Sequence, residues 1–226
     1  MMFGERSTGG PGHAGVPPTS QAPLTTYEDR LDREKVWALS EGSRHFEDRS
    51  AVHDALRRIA ARLDELTVPY AVVGGMALFH HGLRRFTEDV DILVTPSGLE
   101  TIHSRLAGLG YVHTFAQSRS LRDANTGVRI EFLLTGDFPG DGRPKPVVFP
   151  DPALVSHVED GVNYLNLLTL IELKLASGMT NPGRLRDLSD VLELTRVLKL
   201  PESFAADLNP FVRAKFLELL EAGRHT

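Results

Sequence analysis

Apolar residues recur every three or four positions at Val52, Leu56, Ile59, Leu63 and Leu66, which predicts an amphipathic helix over about 48–66. An earlier helix is expected over about 27–39, capped by Thr26, opened by acidic residues and broken by the polar run 40–43. Thr67, Val68 and Pro69 end the second helix and launch a short apolar strand, Tyr70 to Val73, which stops at Gly74-Gly75. A short helix over about 76–81 leads to a second apolar run carrying Asp89 and Asp91. Ser97 stands where it can cap the next helix, whose apolar face is Leu99, Ile102, Leu106 and Leu109 and which Gly110 closes. Segments 111–115 and 118–123 read as short strands, 124–127 as a turn, and 128–134 as a strand with clear alternation. Val128, Ile130, Phe132 and Leu134 share one face of it, and Arg129, Glu131 and Leu133 the other. A loop at 138–145 precedes short strands at 147–149 and within 154–165.

The pattern then turns helical: 167–177 closed by Gly178, a helix after Asn181-Pro182-Gly183 that Pro201 ends, and a last one over about 209–222. Helices, a mixed sheet flanked by helices and a helical C-terminal portion make an α+β fold. Residues 1–25 are rich in Gly, Pro, Ser and Thr without apolar periodicity, and are expected to be a disordered tail. A sheet-bearing portion with N-terminal helices is assigned to 26–165 and the helical portion to 166–226.

Two aspartates at alternate strand positions project side by side and repel each other unless a cation lies between them. A glycine pair nearby lets a phosphate approach bare backbone at a helix N-terminus. If the strand 128–134 pairs beside the aspartate strand, Glu131 completes a trio of hard oxygen ligands suited to Mg²⁺ or Mn²⁺. Such ions, in pairs, clamp in-line phosphoryl displacements. Arg84, Arg85 and Thr87 immediately precede the aspartates, and an arginine grips phosphate oxygens bidentately. His80 and His81 read as packing residues at a helix end rather than as metal ligands.

Gly74-Gly75, a helix, then the run from His81 to Asp91 (HGLRRFTEDVD) resembles the signature of the nucleotidyltransferase superfamily with the DNA polymerase beta-like catalytic fold. The sub-pattern Gly82, Arg85, Thr87, Asp89 and Asp91 resembles the AbiEii-type and minimal nucleotidyltransferase toxins. So do Lys174 and the later Arg184-Leu185-Arg186-Asp187 with Asp190; the resemblance spans about 52–200. It implies transfer of a nucleoside monophosphate from an NTP to an acceptor hydroxyl, with release of pyrophosphate. It assigns Asp89, Asp91 and Glu131 to the metals, with Glu131 also assisting deprotonation. Gly74 and Gly75 would cradle phosphates, and Arg85, Thr87 and Lys174 would hold the triphosphate. Asp187 would position Lys174 or touch the substrate. The implied acceptors are a tRNA 3′ end, a protein or a small molecule such as an aminoglycoside. The toxin branch adds a toxin–antitoxin role and an antitoxin partner. The alternative is a non-catalytic nucleotide-binding or protein-interaction module of the same fold.

Composition narrows this picture little. The 226 residues, 41% hydrophobic and 24% charged, suit an ordinary globular chain. The absence of cysteine excludes disulfides, thiolate metal sites and a cysteine nucleophile, and fits a cytoplasmic protein. A net charge of -5 provides no global nucleic-acid footprint, so an RNA acceptor would need a local basic patch such as Arg84, Arg85, Lys174, Arg184 and Arg186. No apolar run is long enough to span a bilayer, and no secretory h-region is expected at the N-terminus.

Overall fold

Alternation along three central strands decides the architecture. The computed structural model describes residue 1, residues 25–116 and residues 118–224, so most of the expected tail, 2–24, lies outside the described residues. Strands β1 (Tyr70–Val73) and β2 (Asp89–Val94) pair antiparallel, and β2 pairs parallel with β5 (Arg129–Leu134). Strands β3 (Tyr111–His113) and β4 (Leu121–Asp123) extend one side of the sheet, and the hairpin β6 (Ser156–Glu159) and β7 (Val162–Leu165) the other. The seven-stranded order is β3-β4-β5-β2-β1-β7-β6, which places the aspartate strand in the middle.

The two faces carry two cores. Tyr70, Val72, Val90, Ile92, Val94, Ile130 and Phe132 face one side, covered by helices α1 (Tyr27–Arg33), α3 (Ala51–Glu65) and α5 (Pro96–Leu106). The residues between them, Ala71, Val73 and Leu93, face the other side. Helices α4 (Gly74–His80), α7 (Leu167–Thr180), α8 (Leu185–Val197) and α9 (Pro210–Arg224) cover that side. Asp89, Asp91, Arg129 and Glu131 share parity with Leu93 and Leu133, so their side chains look toward these later helices. Helix α7 is apolar almost all round and is the buried centre of that layer.

Several local expectations are corrected. The first helix breaks at Glu34, not at 40–43; a second, α2 (Lys35–Phe46), runs through the polar stretch because Glu41 is buried and accepts from the Tyr27 hydroxyl. Thr95 rather than Ser97 caps α5, accepting from the Gly98 N–H at 3.0 Å. Residues 147–149 form no strand, Phe149 bonding instead to the backbone of Gly136 and Asp137, and Leu154 lies in the one-turn helix α6 (Pro152–Val155). Gly178 does not stop α7: a Cβ there would stand 2.6 Å from Leu188 Cγ, so the glycine is where α8 packs closest. No described helix is long and apolar enough to cross a membrane.

Candidate active site

The parallel pairing of β2 with β5 sets Asp91 opposite Glu131 and Asp89 opposite Arg129. Carboxylate oxygens of Asp89, Asp91 and Glu131 lie within 4.8 Å of one another. The in-register pairing that the sequence left conditional is therefore present. Burial pushes the Asp91 carboxyl up to about 7, with the Asp89 and Glu131 charges adding to the shift and Lys174 and Arg129 opposing it. A carboxyl raised by its neighbours' charges is one that a bound cation would return to its ionised form. Hard oxygen donors at this spacing fit Mg²⁺ or Mn²⁺.

Arg129, from the same strand face, donates to Asp89 at 2.9 Å and stands 3.6 Å from Glu131. Three carboxylates and one guanidinium give the cluster a formal charge of -2 when all are ionised. From the sequence alone Arg129 is only a residue on the same strand face as Glu131. Its shared strand parity with Glu131 was the signal that both would face the aspartates.

Helices α7 and α8 bring the remaining groups. Lys174 is 7% exposed, with Nζ 2.9 Å from Asp187 and 2.7 Å from Asp190. It is a buried ion pair rather than a surface lysine reaching past apolar neighbours. Burial would raise the Asp187 carboxyl, but the Lys174 ammonium and a 2.7 Å bond from the Ser177 hydroxyl hold it below the ordinary carboxylate range. Asp190 also takes the Arg85 guanidinium, at 3.1 and 3.3 Å. Asp187 thus pairs with Lys174, and Asp190 with both Lys174 and Arg85. Asp190 and Ser177 were not singled out as site residues. Asp190 was legible as the residue one helical turn beyond Asp187, while Ser177, one turn beyond Lys174, carried no distinguishing signal. Behind Arg85, the buried His45 ring of α2 bonds its main-chain carbonyl at 3.1 Å.

The glycine pair explains how the carboxylates fit. Gly74 has φ +60°, and a Cβ there would fall 1.8 Å from Asp91 Oδ2; a Cβ on Gly75 would fall 2.6 Å from the Thr87 hydroxyl. Asp91 and Thr87 therefore lie directly on the backbone at the start of α4. Thr87, almost fully buried, donates to Asp89 at 3.0 Å and holds that carboxylate from the loop side. The structure brings together Gly74, Gly75, Thr87, Asp89, Asp91 and Glu131, and assembles Arg85, Lys174 and Asp187 around Asp190.

No protein-family model and no curated protein sequence matches the chain. Among solved structures, ANT(2")-Ia in complex with adenylyl-2"-tobramycin is similar at 13% identity and a TM-score of 0.48, over 76% of this chain and 98% of that one. JHP933 from Helicobacter pylori is similar at 16% identity and a TM-score of 0.41, over 85% of this chain and 91% of its own. An H. pylori protein provisionally named a nucleotidyltransferase is similar at 17% identity and a TM-score of 0.37, over 85% of this chain and 94% of its own.

Proposed function

We propose that the chain is a metal-dependent nucleotidyltransferase acting on an NTP and an acceptor hydroxyl. The observation that carries this is the convergence of Asp89, Asp91 and Glu131 across paired strands. Asp89 and Asp91 would hold the metal, and Glu131, the most open of the three with its side chain 43% exposed, would accept the proton from the acceptor hydroxyl. Bound there, Mg²⁺ or Mn²⁺ neutralises triphosphate charge and polarises the reacting oxygens. Lys174 and Arg85 are already matched by Asp187 and Asp190, two cations against two anions. Their net contribution toward a triphosphate is small, and their role is to lock α7 and α8 against the loop before β2. Gly74 and Gly75 would lie beside the phosphates only after Asp91 turns toward the metal.

The toxin-branch reading, and with it an antitoxin partner, rests on the motif from Gly82 to Asp91 and on Lys174 with Asp187. A tRNA 3′ end, a protein hydroxyl and a small molecule are the acceptors to separate by experiment. The test incubates the protein with each α-³²P-labelled NTP, Mg²⁺ and tRNA or cell extract. A labelled acceptor with pyrophosphate release, lost in Asp89→Ala/Asp91→Ala, supports transfer. Free phosphate without a labelled acceptor would mean hydrolysis. One observation favours the non-catalytic alternative: Arg129 already stands between Asp89 and Glu131. On that reading NTP binds without label transfer, and Arg129→Ala leaves binding without creating turnover.

A further inference from the structure

A second group of metal-ligating side chains lies at the opposite end of α4 from Asp91. His80 is the last residue of α4, and His157 and Glu159 sit at alternate positions of β6, so both point to one face. His80 Nε2 is 3.1 Å from His157 Nε2 and 3.6 Å from a Glu159 carboxylate oxygen, and the three donor atoms lie within 4.8 Å of one another. Around a tetrahedral zinc ion with ligand bonds of about 2.0–2.1 Å, neighbouring donors stand about 3.3–3.4 Å apart. The two observed separations bracket that edge. We propose that His80, His157 and Glu159 form a three-ligand site for a divalent transition ion of the zinc class.

The surroundings fit the chemistry. The His80 ring lies flat on Tyr164, 3.9 Å between centroids and 5° from parallel, which fixes its plane. Tyr164 is itself the cross-strand register partner of His157, so the residue under the His80 ring sits beside the second histidine's strand position. His81 is not a further ligand: its Nε2 donates to the Leu165 carbonyl at 2.8 Å. Without an ion, one of the facing Nε2 atoms must donate a proton to the other; a metal takes that proton's place between them. His157 and Glu159 are exposed, which leaves a fourth position open to water. Two imidazoles and one carboxylate suit Zn²⁺ or Co²⁺ and not Mg²⁺, so this site is chemically separate from the Asp89–Asp91–Glu131 trio. Its structural effect is a clamp between the end of α4 and the outer hairpin.

The test titrates tag-free protein with Co²⁺ and follows visible absorption, in wild type and in Asp89→Asn/Asp91→Asn. Both are expected to take one equivalent with the intense bands of tetrahedral cobalt, displaced by Zn²⁺. Persistence in the double variant separates this site from the proposed catalytic one, whatever the fate of nucleotidyl transfer. His157→Ala and Glu159→Gln, both at exposed positions and checked by circular dichroism for intact folding, should each weaken binding tenfold or more. Only the weak absorption of hydrated cobalt in wild type would overturn the proposal. So would equal affinity in His157→Ala.

Discussion

Asp91 carries its carboxyl against the Gly74 backbone, between Asp89 and Glu131, and its pKa rises to about 7. The unfolded chain ionises the same group near the ordinary carboxylate value. The raised group therefore stabilises the metal-free fold at acid pH, and that contribution is lost as pH rises through about 7. Asp91→Asn is expected to melt several degrees above wild type in EDTA at pH 8, with the gap shrinking toward pH 5. Saturating Mn²⁺ should close the gap by stabilising wild type alone. A gap independent of pH would show that charge is not its cause. Lys174 poses the complementary case. Lys174→Met leaves Asp187 buried without its cation and is expected to cost about 3–5 kcal/mol in urea unfolding, part of it recovered in Lys174→Met/Asp187→Asn. The identity of these residues could be read from the chain, since Asp-x-Asp on a strand and an acidic pair one helical turn apart are local patterns. The family resemblance implied that Asp187 positions Lys174; that Asp190 clasps the same ammonium could not be read, because 16 residues separate the two and only the packing of α7 on α8 closes the distance.

At the scale of elements, strand parity was the most legible feature. The division of 128–134 into an apolar and a polar face follows from alternation alone, and it correctly put Glu131 opposite Ile130 and Phe132. Register was not legible, since a parallel pairing between β2 and β5 depends on everything that folds in the 34 residues between them. Helix ends misled where a residue had two uses. Glycine stops a helix or admits a close neighbour, and Gly178 does the second because Leu188 presses on it. Threonine and serine both cap, and Thr95 wins over Ser97 because Pro96 belongs at the first helical position. The entrance to α4 is the least tolerant junction. Gly74→Ala combines positive φ with a Cβ inside the Asp91 carboxylate. It is expected to cost about 1–3 kcal/mol and to abolish the Mn²⁺-induced rise in melting temperature. If Gly74→Ala melts lower but keeps the full Mn²⁺ response, Asp91 is not what the glycine makes room for.

For the molecule as a whole, the sheet is a shared wall. Helices α1, α3 and α5 press on one face and α4 with α7–α9 on the other, and adjacent residues of the same strand serve both cores. Neither core is complete without the strands, so the two sides should unfold together. Trp37, the only tryptophan, packs edge-on to Tyr27 and reports on the first side, whereas far-ultraviolet dichroism is dominated by the long helices of both. Urea midpoints from the two signals are expected to coincide; a separation would mean that the faces melt independently. The same architecture fixes a timetable for synthesis. Asp89, Asp91 and Glu131 are all made before Lys174, Arg85 waits 105 residues for Asp190, and Lys174 arrives only shortly before its partners. A nascent chain therefore holds its carboxylates in an unfinished setting until α8 has been made and docked, and whatever this site does is withheld from every copy that stops short.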